Sequence, residues 1–499
     1  KKGVAFITYI HEAGVKTRHQ FFYLCARLSI NIMKVIGRKS EIGQIRKLYD
    51  SGKSEFVVVY GRRRVGKTFL VNQFFDNKFL FKVTGLAVKD KAAQLVNFGE
   101  ALKKQGSPLC PYPKSWMEAF GFLKTLIESS KVNGRKVVFI DELPFMYTNR
   151  CDLVVAIEHF WNDWGCTQDN LMLIVCASAT SWITKKILRN KGGLHNRVTG
   201  KIYLRPFNLM ECKAYFRSVG ISLDEKDIAE CYMIMGGIPY YLSLFEKGKS
   251  LAQNVDDLFF KRKGKLDGEF DNLYASLFEN SEDYMKVIEA LSRRNAGLTR
   301  KEVIAATGLP DGGGLSTILS DLDDCDIIRK YKAFGKKEND AVYQLTDFYT
   351  IFYYKFIKKY GTSDKSFWSY QTGTTLHNAW AGIAFERLCM YHHIQIEKAL
   401  GIQGIMTEAS SWRSESAQID LVISRADRVI DLCEIKFWEG PFSITKKYRQ
   451  ELDNKINSFR DSLKLRRTIH LVFITTYGLK PNEYSGVVQN EVTLADLFG

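Results

Sequence analysis

Short apolar runs recur in the first half of the chain, and each is followed by a polar loop. Phe56–Tyr60 (FVVVY), Val137–Ile140 (VVFI) and Leu171–Cys176 (LMLIVC) contain no charged residue, and a further strand is predicted in KIYLRPF at 201–207. An uninterrupted apolar run of this length is typical of a strand buried on both faces of a parallel sheet. Because helical patterns separate these runs, we predict an α/β fold with a parallel sheet.

The pattern changes between residues 282 and 346. YMKVIEALS, RKEVIAATG and STILSDLDDCDII place apolar residues at helical spacing, with glycine-rich breaks at 308 and 312–314 and a basic hairpin afterwards. This order predicts a winged helix-turn-helix. Acidic residues on the third helix would repel DNA phosphates, whereas lysines of the wing would attract them, so DNA contact and a packing or regulatory role both stay open. The acids are Asp321, Asp323 and Asp324, and the lysines are Lys330, Lys332, Lys336 and Lys337.

The aromatic segment Phe348–Tyr360 (FYTIFYYKFIKKY) has the composition of a base-stacking surface. Its spacing fits a buried helix better, so we predict core packing.

Composition narrows the class of protein. The 499 residues are 45% hydrophobic and 25% charged, which predicts a globular chain of several domains. The formal net charge of +17 favours a polyanionic partner, with nucleic acid, DNA above all, preferred over a membrane surface. The ten cysteines form no CxxC pair, which is typical of a reducing cytoplasm. The apolar run at 21–32 is too short to span a bilayer, and we predict that residues 1–32 are an extension upstream of a natural start at Met33.

The strongest chemical motif directly follows the first apolar strand. Gly61, Arg62, Arg63, Arg64, Val65, Gly66, Lys67 and Thr68 read GRRRVGKT and precede a helical segment. Glycines in this context let backbone N–H groups turn toward phosphates at a helix N-terminus. Lys67 is predicted to reach the β- and γ-phosphates, and Thr68 is predicted to ligate Mg²⁺.

Candidate partners for this loop follow the next two strands. Asp141 and Glu142 end the second apolar run, where the first carboxylate would hold Mg²⁺ and the second would orient or deprotonate the attacking water. Ser178, after the third run, is a candidate γ-phosphate sensor or a simple turn residue. The alternative for Glu142 is that it only caps the segment that follows it.

Two further candidates lie downstream. Arg197 is placed to act as an arginine finger from a neighbouring subunit of a homo-oligomer, or to be an ordinary surface arginine. Pro239, in GGIP, opens a helix where a rigid turn would contact the nucleotide base or ribose, or would serve only as a helix start.

These motifs together resemble the archaeal-type ATPases of the AAA and STAND group. The resemblance covers IGRKSEIGQIRKLY, GRRRVGKT, FIDELPFM, ASATSWI, HNRVTGKIYLRPF and GGIPYYL, from about Val35 to Phe245. It implies ATP and Mg²⁺ as ligands of a P-loop sheet at 33–205, followed by a helical lid at 206–275.

A second set of charged residues lies near the C-terminus. AGIAFERL places Glu386 on a predicted helix, AQIDLVIS places Asp420 on a strand, and DLCEIKF places Glu434 and Lys436 on the next strand. Residues two apart on a strand share a face, and pairing through the turn at 424–428 would bring Asp420 to them. The three carboxylates would bind Mg²⁺, and Lys436 would position or activate water for attack on a phosphodiester.

This second set resembles the PD-(D/E)XK nuclease superfamily, in the form of the domain of unknown function DUF234, over about residues 376–478. The resemblance predicts an α/β restriction-endonuclease-like domain at 361–499, after a winged-helix and connecting region at 276–360. We therefore expect an ATPase coupled to a Mg²⁺-dependent DNA nuclease in DNA processing or defence. Alternatives are an ATP-dependent signalling switch whose C-terminal domains only bind partners, and a plain ring-forming ATPase.

Overall fold

The computed structural model of the protein describes residues 35–88, 90–148, 151–189, 192–278, 281–332, 334–335, 341–361, 366–414, 417–463 and 467–499. These residues form two compact units. The first comprises the described parts of Lys1–Gly61, Gly66–Ser178 and Trp182–Leu204, and the second comprises Arg62–Val65, Ala179–Ser181 and the described parts of Arg205–Gly499. The predicted extension at 1–32 and the wing residues Lys336 and Lys337 lie outside the described residues.

The first unit contains a parallel sheet. Its strands β1 to β5 are Glu55–Tyr60, Phe81–Thr84, Lys136–Asp141, Leu171–Ala177 and Gly200–Tyr203. They lie in the order β2-β3-β4-β1-β5, and every neighbouring pair is parallel. The central strands are buried nearly throughout, because the apolar runs supply side chains for both faces. The predicted α/β class and parallel sheet are confirmed.

Helices and aromatic side chains complete this unit. Phe56 lies 5.2 Å from Trp161, and Phe98 lies 5.0 Å from Phe81 and 5.8 Å from Trp116, ring centroid to ring centroid. These contacts fasten helices to the sheet through large apolar surfaces. Up to β5 the helical segments are Lys39–Tyr49, Lys67–Phe74, Lys91–Lys104, Trp116–Ser129, Leu143–Met146, Leu153–His159, Phe160–Trp164 (π), Gly165–Thr167 (3₁₀), Thr180–Ile183 and Thr184–Leu188 (π).

The second unit begins with helices. Asn208 and Ser250 each start one with a capping box, in which the side chain and the third helical residue satisfy each other's backbone N–H groups. Gly236 ends another in the left-handed conformation, with φ +69°. The helical segments are Leu209–Ser218, Glu225–Met235, Pro239–Leu242, Leu251–Val255, Asp256–Phe260 (π) and Glu269–Leu277.

Three helices and a small antiparallel sheet follow. The helices are Ser281–Ser292, Arg300–Thr307 and Gly313–Asp324. The strands β6 (Leu298–Thr299), β7 (Ile328–Tyr331) and β8 (Val342–Leu345) lie in the order β6-β8-β7.

The acids of the third helix do not form one exposed face. Asp321 is buried and accepts a hydrogen bond of 2.8 Å from the Tyr284 hydroxyl. Asp323 is exposed and accepts a 3.2 Å hydrogen bond from the backbone N–H of Lys330. The expectation that these acids would all oppose DNA phosphates is therefore wrong for Asp321.

The aromatic segment is core, as its spacing predicts. It forms Phe348–Phe352, a π-helical turn Tyr353–Ile357 and Lys358–Tyr360. Phe352 and Phe356 are fully buried, and each ring centroid lies 5.0 Å from that of Trp368.

The last part of the second unit contains a mixed sheet. Its strands β9 to β13 are Thr407–Arg413, Gln418–Arg425, Val429–Lys436, Thr468–Thr475 and Asn490–Thr493. They lie in the order β13-β12-β11-β10-β9. β9, β10 and β11 pair antiparallel, whereas β11, β12 and β13 pair parallel. The helical segments are Phe367–Gln371, Thr375–Tyr391, His393–Ala399, Lys446–Asp461, Ser485–Val487 (3₁₀) and Leu494–Phe498 (3₁₀).

Of the helices in the described ranges, none has both the length and the apolar character needed to cross a membrane.

Candidate active sites

The loop after β1 has a shape that requires glycine. Gly61 has φ +144°, and a Cβ atom there would lie 2.2 Å from the carbonyl oxygen of Leu204. Gly66, with φ +91°, is the N-cap of the helix Lys67–Phe74. The helix N-terminus after this turn presents free N–H groups and a partial positive charge, which together attract phosphate.

Lys67 and Thr68 begin that helix. The buried Lys67 ammonium donates a 3.0 Å hydrogen bond to the carbonyl oxygen of Gly61, so it lies over the loop. The Thr68 hydroxyl donates a 2.8 Å hydrogen bond to Oδ2 of Asp141 at the end of β3. A hydroxyl and a carboxylate in contact are oxygen donors that fit Mg²⁺, and Thr68 and Asp141 would hold it.

Glu142 and Ser178 meet at the same edge of the sheet, after β3 and β4. The Ser178 hydroxyl donates to Oε1 of Glu142 at 2.5 Å, and its backbone N–H donates to Oε2 at 3.3 Å. Glu142 has a left-handed backbone with φ +49°, a conformation that costs free energy for a non-glycine residue and often marks a functional position. Ser178 therefore orients the Glu142 carboxylate.

Two arginines of the loop pair with carboxylates of the second unit. Arg62 Nη1 lies 2.7 Å from Oδ1 of Asp347, whose side chain is 0% exposed. Arg64 forms an ion pair with Glu269, which also accepts a 2.8 Å hydrogen bond from the Tyr241 hydroxyl. These two carboxylates were missed from the sequence, and no local signal could have identified them because each lies more than two hundred residues from the loop.

Four other residues predicted for the ATP site are Arg63, Val65, Arg197 and Pro239. Arg63 donates a long 3.4 Å hydrogen bond to the carbonyl oxygen of Asn272, and Val65 is buried. Arg197 is exposed before β5 in the first unit. Pro239 begins the helix Pro239–Leu242 in the second unit. The roles assigned to these residues stay predictions.

The C-terminal carboxylates come together as the predicted strand pairing requires. β10 and β11 pair antiparallel with Leu421 opposite Cys433, which places Asp420 opposite Glu434 on one face. The backbone N–H of Ile435 donates to the Asp420 side chain. Lys436 Nζ lies 2.9 Å from Oε1 of Glu434, so these two side chains share a face.

Glu434 has two partners that the sequence analysis missed. Lys455 Nζ lies 3.0 and 2.8 Å from its two oxygens, and the Tyr448 hydroxyl donates to Oε1 at 2.5 Å. Both lie on the helix Lys446–Asp461, seven residues apart and so on one face. That spacing, directly after the strand with Glu434, was the available signal. Burial raises the pKa of Glu434, but the charges of Lys436 and Lys455 outweigh it and hold the pKa below its usual range.

Glu386 and Asp420 show the opposite shift. Burial, followed by the charge of Asp420, raises the pKa of Glu386 to about 8. Burial followed by the charge of Glu434 raises the pKa of Asp420 to about 6. Glu386 therefore lies within electrostatic reach of Asp420, as predicted. A divalent cation would relieve the cost of charging Glu386 and Asp420 together, and the carboxylate oxygens of Asp420 and Glu434 are the ligand type that Mg²⁺ prefers. Across the described residues, however, no three His, Cys, Asp or Glu side chains already form a metal-binding group.

The geometry around β1 defines a P-loop nucleotide-binding site: a buried strand, a glycine loop, a helix with Lys67 and Thr68, and Asp141 on a neighbouring strand. Residues 36–245 match the family described as an ATPase domain predominantly from Archaea. This region of the chain is therefore an archaeal-type ATPase domain.

Similarity to one relative extends beyond this domain. An uncharacterised protein of Methanocaldococcus jannaschii is 25% identical over 426 residues, which cover 84% of this chain and 91% of that protein. An uncharacterised ATP-binding protein of the same organism is 38% identical over 47 residues, 9% of this chain and 80% of that protein.

Two solved structures resemble part of this chain, each with a TM-score below 0.5. A Walker-type ATPase of Pyrococcus abyssi has a TM-score of 0.46 at 17% identity and covers 64% of this chain and 95% of its own. The Aeropyrum pernix ORC2 protein, in ADPNP–ADP complexes, has a TM-score of 0.33 at 14% identity and covers 62% of this chain and 90% of its own.

Proposed function

We propose that the protein is an ATP-hydrolysing ATPase coupled to a Mg²⁺-dependent DNA nuclease site on its C-terminal sheet. The observation that carries the nuclease proposal is the meeting of Asp420, Glu434 and Lys436 on one face of β10 and β11, with Glu386 in electrostatic reach.

In the ATPase site, the loop backbone from Gly61 to Thr68 binds the phosphates and Lys67 neutralises them. Mg²⁺, when held by Thr68 and Asp141, supplies charge that stabilises the transferring phosphoryl group. Glu142 accepts a proton from the attacking water or orients it. Its hydrogen bonds from Ser178 support this role, because they fix the carboxylate before ATP binds.

Arg197 completes this site from a neighbouring subunit. Its exposed position fits that role, since an arginine finger must be accessible to a second copy of the chain. Pro239 contacts the nucleotide base or ribose.

The nuclease proposal also draws on topology. Two helices, three antiparallel strands, a helix and a parallel strand follow one another from Thr375 to Thr475. This is an α/β arrangement, the class that the PD-(D/E)XK resemblance predicts. Lys436, held by Glu434, positions or activates water beside the phosphodiester. Mg²⁺, if held by Asp420 and Glu434 beside Glu386, would supply Lewis-acid charge. The three helices and sheet from 281 to 345 form the winged helix that connects the two activities.

The ATPase half is tested by hydrolysis assays on the full chain. Lys67→Ala removes phosphate binding and Glu142→Gln removes the base, and we expect each to lower kcat by about a hundredfold or more. Unchanged hydrolysis in Glu142→Gln would reject Glu142 as the base.

The nuclease half is tested by cutting of supercoiled, linear and single-stranded DNA in Mg²⁺ or Mn²⁺. Asp420→Asn should abolish cutting. Asp427→Asn, in the exposed turn between the same strands, is the matched control and should cut like the wild type. Equal cutting by both variants would reject the assigned site.

A second function is favoured by the bonding of Glu434. Its oxygens already accept hydrogen bonds from Lys455 and Tyr448 and pair with Lys436, an arrangement that also suits a structural core. In this case the protein is an ATP-dependent signalling switch whose C-terminal domains bind partners. ATP hydrolysis with no DNA cutting under any metal condition would select this function.

A further inference from the structure

A cleft in the second unit carries a concentration of basic side chains. The cleft has a volume of about 470 Å³. It lies among the helices Ser281–Ser292 and Thr375–Tyr391 and the segment Tyr353–Tyr360. Five of its side chains are basic and one is acidic: Arg293, Lys355, Lys358, Lys359, Arg387 and Glu289. We call these residues the basic cleft.

The single acid of the basic cleft is already neutralised. Glu289 accepts from Arg293 at 3.0 Å and lies 3.1 Å from the Lys358 ammonium. Lys355 and Lys359 are exposed, and neither forms an ion pair within the described part of the chain. The cleft therefore has a surplus of positive charge that faces solvent, which an extended anion would neutralise.

Arg387 extends this charge toward a second arginine. Arg387 Nη2 donates to the backbone carbonyl of Asn295 at 3.3 Å, and Arg329 donates to Oε1 of Gln344 at 2.6 and 2.9 Å. These acceptors are neutral, and neither arginine forms an ion pair with a described residue. Arg329, Gln344 and Arg387 line one cavity together. Two like charges held this close favour an anion between or beside them.

We infer that the basic cleft, with Arg329 beside it, binds the sugar–phosphate backbone of DNA. The charged side chains lie next to the helix Ser281–Ser292, on the segment Tyr353–Tyr360 and on the helix Thr375–Tyr391. This spread matches a polyanion with regularly spaced phosphates better than a single small anion. Arg387 directly follows Glu386 on one helix, so the cleft and the carboxylate cluster lie on neighbouring faces of that helix. The inference rests on the proposed function in one respect: the bound strand is the substrate of that cluster.

The test measures binding of fluorescent single-stranded and duplex DNA to the full chain by anisotropy, across a series of salt concentrations. The double variant Lys355→Glu/Lys359→Glu should raise Kd more than tenfold and reduce the salt slope, by about 0.9 for each lost duplex contact. Lys47→Glu/Lys104→Glu makes the same charge change at exposed lysines of the first unit and should bind like the wild type. Equal losses in both double variants would overturn the inference.

Asp420→Asn separates this inference from the nuclease proposal. It should bind DNA like the wild type without cutting it. DNA binding that depends on Lys355 and Lys359 in a wild-type protein that never cuts would support the cleft and reject the nuclease. Cutting by Lys355→Glu/Lys359→Glu with unchanged DNA binding would reject the cleft and support the nuclease.

Discussion

The guanidinium of Arg62, in the phosphate-binding loop, lies 2.7 Å from the carboxylate of Asp347, 285 residues further along the chain. Asp347 is also the N-cap of the helix Phe348–Phe352, where it accepts a 3.1 Å hydrogen bond from the backbone N–H of Thr350. Burial raises the pKa of Asp347, but the charge and hydrogen bond of Arg62 outweigh it and keep the pKa below its usual range. A residue of the nucleotide-binding motif thus stabilises the start of the aromatic core segment.

Arg62→Ala should destabilise the second unit strongly. It leaves the fully buried Asp347 without its cation, and breaking a buried pair in this way costs about 3–5 kcal/mol. Urea unfolding measures the change. Arg63→Ala is the matched control, because among the described residues Arg63 has a single long hydrogen bond of 3.4 Å, and it should cost less than about 1 kcal/mol. Equal losses in the two variants would contradict the importance of the pair.

Gly61→Ala should disrupt the phosphate-binding loop. The added Cβ would lie 2.2 Å from the Leu204 carbonyl oxygen in a backbone with φ +144°, so the loop must shift and ATP affinity should fall at least tenfold. Gly43→Ala is the control, since it has open space within the helix Lys39–Tyr49 and should stabilise by about 0.5–1 kcal/mol. Isothermal titration with ATP and thermal unfolding provide the two readouts, and normal ATP affinity in Gly61→Ala would refute the steric argument.

His377 should make stability depend on pH. Burial lowers the pKa of His377, but its 3.0 Å contact with Glu230 outweighs that and raises the pKa above the ordinary 6.5. A raised folded pKa gives stabilisation that is complete below 6.5 and is lost as pH rises through the folded pKa. The stability difference between the wild type and His377→Gln should therefore shrink from about pH 6 to pH 9. A stability difference that stays constant over this pH range would contradict the prediction.

Lys455→Ala should make stability depend on Mg²⁺. Its ammonium neutralises Glu434, whose side chain is only 2% exposed, so removal should cost about 1–3 kcal/mol. If Asp420 and Glu434 bind Mg²⁺, the cation should restore part of that loss in nucleotide-free protein. Thermal unfolding with Mg²⁺ or with EDTA measures this, and Lys447→Ala, exposed on the same helix, is the control. A loss that Mg²⁺ leaves unchanged would count against a metal at Glu434.

The sequence was most informative where one strong pattern determines structure. The apolar runs predicted β1, β3 and β4, because burial on both faces requires continuous apolar residues. The four-residue strand β2, with one exposed and one half-buried position, carries no such run. The pairing of β10 with β11 followed from their short turn, and it brought Asp420 to Glu434 as predicted.

Tertiary contacts set the limit of that prediction. The Arg62–Asp347 pair joins residues that no local pattern relates, and Asp321 turned inward because Tyr284 offers its hydroxyl there. Lys455 and Tyr448 reach Glu434 only because their helix packs over β11 and β12. Such partners depend on the folded chain, so charge and periodicity alone do not identify them.

The central claim is that the P-loop controls cutting of DNA at the C-terminal carboxylates. Its most direct test is cleavage of supercoiled, linear and single-stranded DNA by the full chain in Mg²⁺, with and without ATP, for the wild type, Asp420→Asn and Lys67→Ala. The account predicts that the wild type cuts with ATP, that Asp420→Asn does not cut although it hydrolyses ATP, and that Lys67→Ala loses ATP-dependent cutting. Cutting by Asp420→Asn, or ATP hydrolysis in a wild type that never cuts, would contradict it.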